Sequence, residues 1–208
     1  MRPKRFVVGL TGGIGTGKSS ALAEFEKAGA STLSLDQIAH EQAKPGREGF
    51  KSIVKAFGKN ILRADGRIDR RALGERVFRS PAALKKLEKA THPSILREME
   101  KLVASLEGVV IVDVPLLFEK KLQNKFDATV LISSNPAAQR RRVQKRDGLT
   151  PMEVRRRMKA QLPLQAKRRL ADYTIDNNDT LSQLQVKVRT LHEGIELLFG
   201  GTPNGNAD

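Results

Sequence analysis

The sequence lacks cysteine and tryptophan and has a single tyrosine among its 208 residues. Without cysteine there can be no disulfide framework, thiolate zinc site or cysteine nucleophile. The histidines, His40, His92 and His192, are too scattered to predict a metal cluster, so we expect any metal to rest on oxygen ligands. Aromatic residues make up only 4% of the chain, which leaves few side chains on which single-stranded nucleic-acid bases could stack.

Long apolar runs are absent as well. No stretch approaches the roughly 18 apolar residues of a membrane span, and Met1 to Arg5 leads into a short strand rather than a signal-peptide core. We therefore expect a cytoplasmic protein with no membrane association. The length, with 39% hydrophobic residues, allows one sizeable core with a small second domain beside it.

Acidic residues are few relative to basic ones, and the formal net charge is +15. Much of the excess lies between Arg140 and Arg169, where twelve bases face two acids, a local charge of 12 − 2 = +10. Such a charge predicts an anionic partner. Two interpretations of the segment stay open: a solvated helical face, which charge alone favours, and a mobile lid that closes over phosphates.

Hydrophobic patterning predicts about five short strands that alternate with helices. An amphipathic helix is expected near the C-terminus, because apolar residues step by threes and fours from Leu181 to Leu198. The pattern indicates an α/β fold with three layers and a mostly parallel sheet. The predicted strands are Phe6 to Leu10, Ser31 to Leu35, Val109 to Val114, Asp127 to Ile132 and Tyr173 to Asp176.

The domain prediction follows from these elements. A nucleotide-binding core comprises residues 1–36, 108–138 and 170–199, and residues 37–107 form an inserted helical substrate subdomain. Residues 139–169 form the basic helical segment, and residues 200–208 a disordered tail. Turn signals at Pro45-Gly46, Gly58, Asp65-Gly66 and Ser80-Pro81 divide the insert into several helices.

The segment from Gly12 to Ser19 matches the phosphate-loop pattern G-x-x-x-x-G-K-[ST] between a strand and a helix. Its glycines let backbone N–H groups approach phosphate oxygens, Lys18 supplies a charge to the β and γ phosphates, and Ser19 offers a hydroxyl to Mg²⁺. The alternative is a glycine-rich turn of no chemical meaning. We expect a bound nucleotide to contact Gly13, Ile14, Gly15, Thr16, Gly17, Lys18, Ser19 and Ser20.

A phosphate loop does not reveal what the nucleotide is for. A GTPase would need a base-recognition element of the N-K-x-D type after a strand, and the one match in the sequence, Asn124 to Asp127, leads into a predicted strand instead. A motor of the helicase kind would carry an apolar strand ending in an Asp-Glu pair, whereas Val114 and Pro115 follow Asp113. A small-molecule kinase needs an acceptor pocket, a base and a lid of cations, all of which a chain of this length can hold.

Further motifs follow the loop in order along residues 6 to 198, and with them the chain resembles the dephospho-CoA kinase family. The motifs are Gly9 to Gly15, Asp36 to His40, Pro45-Gly46, Asp65 to Arg70, Thr91-His92-Pro93, Asp113 to Glu119, Gln139, Arg142, Arg146-Asp147, Gln161, Lys167, Ala171-Asp172 and Ile175-Asp176-Asn177. The resemblance implies that ATP, with Mg²⁺, donates its γ-phosphate to the ribose 3′-hydroxyl of dephospho-CoA. This is the last step of coenzyme A synthesis.

The resemblance also implies catalytic roles. The attacking hydroxyl needs a proton acceptor, and Asp36 is the expected base; from position alone it could equally be a helix N-cap. Lys18 and Arg146 are expected to counter charge on the transferring phosphoryl group, since a guanidinium offers a planar fork. One departure from the family is Ser34, where many relatives carry a first Asp before the second, and any auxiliary role of that Asp is then missing.

Binding roles are implied in the same way. Arg142, Asp176 and Asn177 are expected to contact the nucleotide; for the last two the alternative is an Asx turn after the final strand. Asp113 lies where it could contact either metal or acceptor. The acceptor-binding residues implied by the family are Thr11, Asp36, His92, Asp113, Pro115, Leu116, Leu117, Phe118 and Glu119.

Two other functions remain as alternatives. One is a kinase for a different nucleotide-like acceptor. The other is a phosphate-loop protein that uses its positive charge to bind nucleic acid, which the shortage of aromatic residues disfavours. We expect no obligate protein partner.

Overall fold

The computed structural model describes residues 4–200. The described residues form two compact units, one of residues 4–33 and 106–200 and the other of Ser34–Ser105. The predicted tail lies outside the described residues except for Gly200, which ends the last helix. A separate lid at residues 139–169 stays a prediction.

The first unit is built on a five-stranded sheet, which confirms the predicted fold class. The strands are Arg5–Gly12 (β1), Ser31–Ser34 (β2), Gly108–Asp113 (β3), Ala128–Ser133 (β4) and Tyr173–Asp176 (β5). Their order in the sheet is β2-β3-β1-β4-β5.

The register of the sheet brings the candidate site residues to one edge. β1 pairs in parallel with β3 and β4, with Leu10 opposite Asp113 and Gly12 opposite Ile132. β4 pairs in parallel with β5, with Ser133 opposite Asp176. Because the carboxyl ends of parallel strands meet at the same edge, the residues that follow these strands gather where open α/β sheets bind ligands.

Both faces of the sheet are covered. Alternate residues, such as Leu10, Ile111 and Ile132, are fully buried and join one cluster with Phe25 of the first helix and Val188 of the last. On the other face Val110, Val112 and Leu131 are also fully buried. The continuous apolar runs of β3 and β4 reflect this burial on two sides.

The helices of the first unit begin at recognisable caps. Asn135 caps the second of them through Ala138 N, and Thr150 forms a capping box with Glu153 at the third. With the second unit's helices numbered in between, they are Lys18–Lys27 (α1), Pro136–Asp147 (α6), Pro151–Lys159 (α7), Leu164–Leu170 (α8) and Leu181–Gly200 (α9).

The second unit is helical, and α2, α3 and α4 all pack against the long α5. Its core is a separate apolar cluster that includes Ile53, Phe57 and Ile68. Its helices are Leu35–Gln42 (α2), Glu48–Phe57 (α3), Arg70–Arg79 (α4) and Pro81–Ala104 (α5), with a 3-10 turn at Lys59–Ile61. The breaks between them fall at the turn signals seen in the sequence.

Two local details differ from the pattern. The predicted strand from Ser31 ends at Ser34, because Leu35 begins α2. Pro93 lies inside α5, although proline usually breaks a helix interior. None of the described helices combines the length and apolar composition that crossing a membrane requires.

Asp172, between α8 and β5, ties this connection to β4. Its Oδ2 accepts hydrogen bonds from Thr129 N at 2.8 Å and Thr129 Oγ1 at 2.7 Å, and Thr129 is only 2% exposed. We expect Asp172→Ala to lower the free energy of unfolding by about 1–2 kcal/mol, because a buried donor loses its partner. Thermal unfolding should then show a Tm lower by roughly 2–8 °C.

The matched control is Asp179→Ala, which removes a carboxylate from an exposed ion pair with Lys187. Exposed pairs contribute little, so its Tm should stay unchanged. Equal Tm values for Asp172→Ala and the unmodified protein would contradict the structural role of Asp172.

Candidate active site

The phosphate loop runs from the end of β1 into the N-terminus of α1. Gly17 caps the helix with φ 91°, and no side chain caps the helix and no acidic residue lies in its first turn. Its first N–H groups are therefore left to bind an anion. Gly15 has φ 74°, and a Cβ there would lie 2.7 Å from Val143 Cγ2 and 2.8 Å from Gln139 O, so a larger residue has no room.

Lys18 forms an ion pair with Asp113, the last residue of β3. Both side chains are mostly buried, at 16% and 12% exposed. The pairing follows from the register, since Leu10 lies opposite Asp113 and the loop begins two residues later. Ser19 and Ser20 are exposed, and their hydroxyls have no hydrogen-bond partner among the described residues.

Asn177 and Arg142 hold the loop by its backbone. Asn177 Nδ2 donates to Thr16 O at 2.7 Å, and Asn177 is buried. Arg142 donates through Nη2 to Asn177 O at 3.1 Å and through Nη1 to Gly15 O at 3.5 Å. Both residues are predicted nucleotide ligands, and here their polar groups bind the loop itself.

Ser134 and Gln139 extend the hydrogen-bond network of Asn177 and Arg142. Arg142 Nη1 donates to Ser134 Oγ at 3.1 Å, and the Ser134 hydroxyl donates to Asn177 O at 2.8 Å. Gln139, which is 2% exposed, donates through Nε2 to Ser134 O at 2.7 Å. Ser134, Gln139 and Asn177 are buried and Arg142 is half-buried, and all four are paired, so they fix one arrangement of the loop.

The connection between α7 and α8 contacts the loop through Gln161. Ile14 N donates to Gln161 Oε1 at 3.0 Å, so a carboxamide oxygen occupies an N–H group that is predicted to face phosphate. The connection is held in turn by Glu119, whose Oε1 accepts from Leu162 N at 3.0 Å. The fully buried Lys167 forms an ion pair with Glu119, with Nζ 2.7 Å from the same Oε1. The geometry of this contact is not that of a hydrogen bond.

The turn after β3 carries most of the predicted acceptor-binding residues. Leu117 and Phe118 are buried, at 0% and 4% exposed, while Leu116 is 38% exposed. Thr11 Oγ1 donates to Pro115 O at 3.3 Å, which joins this turn to β1. Acceptor binding by these residues stays a prediction.

Arg146 and Asp176 are both engaged in exposed ion pairs. Arg146 donates to Asp147 through Nε at 2.6 Å and Nη2 at 3.0 Å, and this contact lowers the pKa of Asp147. Asp176 is held by Arg168, whose hydrogen bond lowers the pKa of the Asp176 carboxyl. The roles predicted for Arg146 and Asp176 toward ATP stay predictions.

Asp36 lies in the first turn of α2 in the second unit. The N-cap of this helix is Ser34, whose hydroxyl accepts from Gln37 N at 3.4 Å. The alternative that Asp36 caps the helix is thus wrong, and its exposed carboxylate has no partner among the described residues.

A cavity of about 400 Å³ within the second unit is lined by Asp36, His40, Thr91 and Ile95, among others. His92 is half-buried beside it and is not among the lining residues described. Its substrate role stays a prediction.

Sequence reasoning missed several residues that shape the loop. Ser134 has no motif of its own, and Gln139, Gln161 and Lys167 are seen in the sequence only as parts of a family pattern. Their contacts join positions far apart in the chain, such as Ile14 and Gln161. Gln139 and Lys167 are buried inside basic helices, and burial of such polar residues indicates that they are paired. The sequence does not reveal this burial, so it could not single them out.

A parallel sheet whose first strand leads into this loop and helix defines a nucleotide-binding protein of the phosphate-loop class. The profile of the dephospho-CoA kinase family matches residues 6–183. The chain is 39% identical over 193 residues to a dephospho-CoA kinase of Methylococcus capsulatus, covering 92% of this chain and 98% of that protein. It is 37% identical to a dephospho-CoA kinase domain-containing protein of Danio rerio, covering 92% and 86%. The chain belongs to the dephospho-CoA kinase family.

Solved structures agree with this assignment. A dephospho-CoA kinase from Campylobacter jejuni superimposes with a TM-score of 0.68 at 27% identity, covering 95% of this chain and 98% of that one. A crystal structure from Thermus thermophilus gives a TM-score of 0.80 at 32% identity, covering 93% and 99%. A shikimate kinase from Bacteroides thetaiotaomicron, at 23% identity and a TM-score of 0.52, shares the fold.

The hydrogen bond from Asn177 Nδ2 to Thr16 O, which we call the Asn177 clamp, can be tested by substitution. We expect Asn177→Ala to weaken ATP binding about tenfold, because one charge-free hydrogen bond contributes roughly 0.5–1.5 kcal/mol. Asn177→Asp should weaken it further, since a carboxylate would face Thr16 O. Asn124→Ala is the control, because this exposed asparagine lies in the turn before β4. Calorimetric titration with ATP measures all three, and equal affinities would contradict the clamp.

Gln161 should compete with the nucleotide for Ile14 N–H. We expect Gln161→Ala to bind ATP about 2–10-fold more tightly in the absence of acceptor, since the protein no longer breaks a hydrogen bond of typical strength. Gln165→Ala, an exposed residue on α8, should bind as the unmodified protein does. Weaker ATP binding by Gln161→Ala would mean that the carboxamide assists the nucleotide.

Proposed function

We propose that this protein transfers the γ-phosphate of ATP to the 3′-hydroxyl of the ribose of dephospho-CoA, which forms coenzyme A. The observation that carries the proposal is the complete phosphate loop, with Lys18 and Asp113 paired at its mouth. Family membership over residues 6–183 supports dephospho-CoA as the acceptor.

The donor half of the site consists of the loop and the start of α1. Backbone N–H groups of Gly13 to Ser20 and the positive end of α1 bind the phosphates of ATP. Lys18 leaves Asp113 for the β and γ phosphates, where its charge offsets the charge that develops during transfer.

Mg²⁺ is the metal that the reaction calls for, and the oxygen donors at the loop suit it. Ser19 has a free hydroxyl, and Asp113 carries a carboxylate, both of which are hard ligands. Ser19 would hold the ion, with Asp113 able to do so when Lys18 has moved. When bound, the ion neutralises phosphate charge and orients the γ-phosphate for attack.

Asp36 acts on the acceptor. The 3′-hydroxyl gives its proton to this carboxylate as the oxygen attacks the γ-phosphorus, and ADP leaves. Its suitability rests on two observations. Ser34 takes over the capping of α2, so the Asp36 carboxylate remains without a partner among the described residues. It also lines the cavity of the second unit.

The basic segment of residues 139–169 acts as a lid. Arg146 binds Asp147 through Nε and Nη2, and it offers Nη1 to the transferring phosphoryl group. Arg142 keeps the phosphate loop in place. Closure of the segment excludes water and so limits hydrolysis of ATP. Gln161 links the phosphate loop to the lid through its hydrogen bond with Ile14 N. When this bond breaks, the connection between α7 and α8 is free to move.

The remaining assignments stay predictions. They are contacts of Asp176 and Asn177 with the nucleotide, contacts of the turn from Pro115 to Glu119 and of Thr11 and His92 with the acceptor, the cytoplasmic location and the lack of an obligate protein partner.

Replacement of Asp36 tests the catalytic assignment. We expect Asp36→Asn to lower kcat by about 10²–10⁴-fold, because general base catalysis usually contributes that much. The dissociation constant for ATP should change less than about threefold, well under the tenfold effect of 1.4 kcal/mol. Steady-state kinetics with dephospho-CoA and calorimetry with ATP give the two numbers.

Glu26→Gln, an exposed carboxylate on α1, is the control and should keep full activity. Turnover by Asp36→Asn within about tenfold of the unmodified enzyme would show that another group takes the proton. A panel of nucleosides and nucleotides as acceptors tests whether dephospho-CoA is preferred.

A further inference from the structure

A second cavity of the helical unit is lined by basic side chains. Its volume is about 590 Å³. Four of its lining residues are Lys or Arg, and none is Asp or Glu; the set is His40, Ala43, Lys44, Pro45, Arg63, Arg67, Ile68 and Arg70. The motif Asp65 to Arg70 contributes half of these bases, and the proposed reaction so far gives it no role.

A tight turn fixes two of the arginines side by side. Arg63 N donates to Arg67 O at 2.8 Å, and the flanking residues Leu62 and Ile68 form an antiparallel bridge. Asp65 Oδ1 accepts from Arg67 N at 3.0 Å, and Ile68 is buried in the core of the unit. The cationic side chains therefore project from a fixed backbone.

Arg70 is positioned by His40 and not by a carboxylate. Arg70 Nη1 lies 2.6 Å from His40 Nδ1, and Nη2 donates to His40 O at 3.4 Å. A guanidinium can only donate, so Nδ1 is the acceptor and this ring carries its proton on Nε2. The ring orients Arg70 without offsetting its charge, because an imidazole carries no negative charge. Within residues 4–200 no carboxylate lies at ion-pair distance from Arg70.

The nearby acids offset only part of the charge. Glu41 pairs with Lys44 at 2.6 Å, and Asp65 lies 3.9 Å from Arg67. Asp69 is engaged as the N-cap of α4, where the hydrogen bond from Ala72 N lowers its pKa. Arg63 is offset only in part, because its charge also helps to lower the pKa of Asp69. Arg70 keeps its charge on the cavity wall without a carboxylate at ion-pair distance among the described residues, which would cost stability unless an anion binds there.

This basic cavity adjoins the one that Asp36 lines. His40, Ala43, Ile68 and Arg70 line both cavities. Asp36 and His40 are four residues apart on α2 and share a face, about 6 Å apart along the axis. The 3′-hydroxyl and the 5′-phosphate of one ribose are separated by a similar distance.

We propose that Arg70, oriented by His40 and assisted by Lys44, Arg63 and Arg67, binds the 5′-diphosphate of the acceptor while its 3′-hydroxyl lies at Asp36. The inference rests on the proposed function and deepens it, because it locates the anionic part of dephospho-CoA. Arginine suits this role, since its fork can bind two phosphate oxygens at once.

Arg70→Gln tests the proposal by kinetics at saturating MgATP. The KM for dephospho-CoA should rise about 10–100-fold, as expected for loss of a charge-assisted hydrogen bond, while kcat and the KM for ATP stay within about threefold. Arg70→Lys should recover part of the affinity, because it keeps the charge but loses the fork. Arg71→Gln removes the same charge from the next residue, which does not line the cavity, and should leave every constant unchanged.

Phosphorus NMR reports on the diphosphate directly, because dephospho-CoA carries no other phosphorus. Its resonances should shift on binding to the unmodified protein and to Arg71→Gln, and should shift less at saturation with Arg70→Gln. Thermal unfolding of each variant checks that the fold is kept; if Arg70→Gln is unstable, Arg67→Gln is measured in its place.

An unchanged KM for dephospho-CoA, or the same phosphorus shifts in the Arg70→Gln complex, would overturn the diphosphate site while leaving the kinase intact. A parallel rise in the KM for ATP would also overturn it. Absence of coenzyme A from the unmodified enzyme is a different result, since it would refute the proposed function itself.

Discussion

The hydrogen bond from Asn177 to the carbonyl of Thr16 is the contact on which the candidate site depends most. It is possible only because β1, β4 and β5 are parallel neighbours, so that the residues after β5 reach the loop after β1. Arg142 and Ser134 fix Asn177 in turn. A chain of buried polar groups thus gives the phosphate loop one shape before any nucleotide binds, which lowers the cost of ordering it.

Local signals in the sequence were enough for the strands, the phosphate loop and the helical insert. Each is written in contiguous residues, as with the β-branched run of β3 or the Ser80-Pro81 start of α5. Long-range pairings were not accessible in this way. Nothing near Gln161 in the chain reveals that it meets Ile14, and nothing near Arg70 reveals that His40 orients it, because both contacts depend on how separate helices and turns pack.

The large positive charge has more than one origin in the structure. Several bases of the segment from Arg140 to Arg169 are paired, as Lys167 is with Glu119 and Arg168 with Asp176. Others serve the loop, as Arg142 does. In the helical unit, by contrast, Arg70 faces a cavity without a carboxylate at ion-pair distance among the described residues. The proposed reaction has two phosphate-bearing substrates, ATP and dephospho-CoA, and the proposals above give each of them one of these groups of cations.

The central claim is the identity of the product. Enzyme mixed with ATP, Mg²⁺ and dephospho-CoA should yield a compound with the mass of coenzyme A, with phosphorus–proton coupling that places the new phosphate on the ribose 3′-oxygen. ATP consumed without that product, or a phosphate attached at another oxygen, would contradict the account.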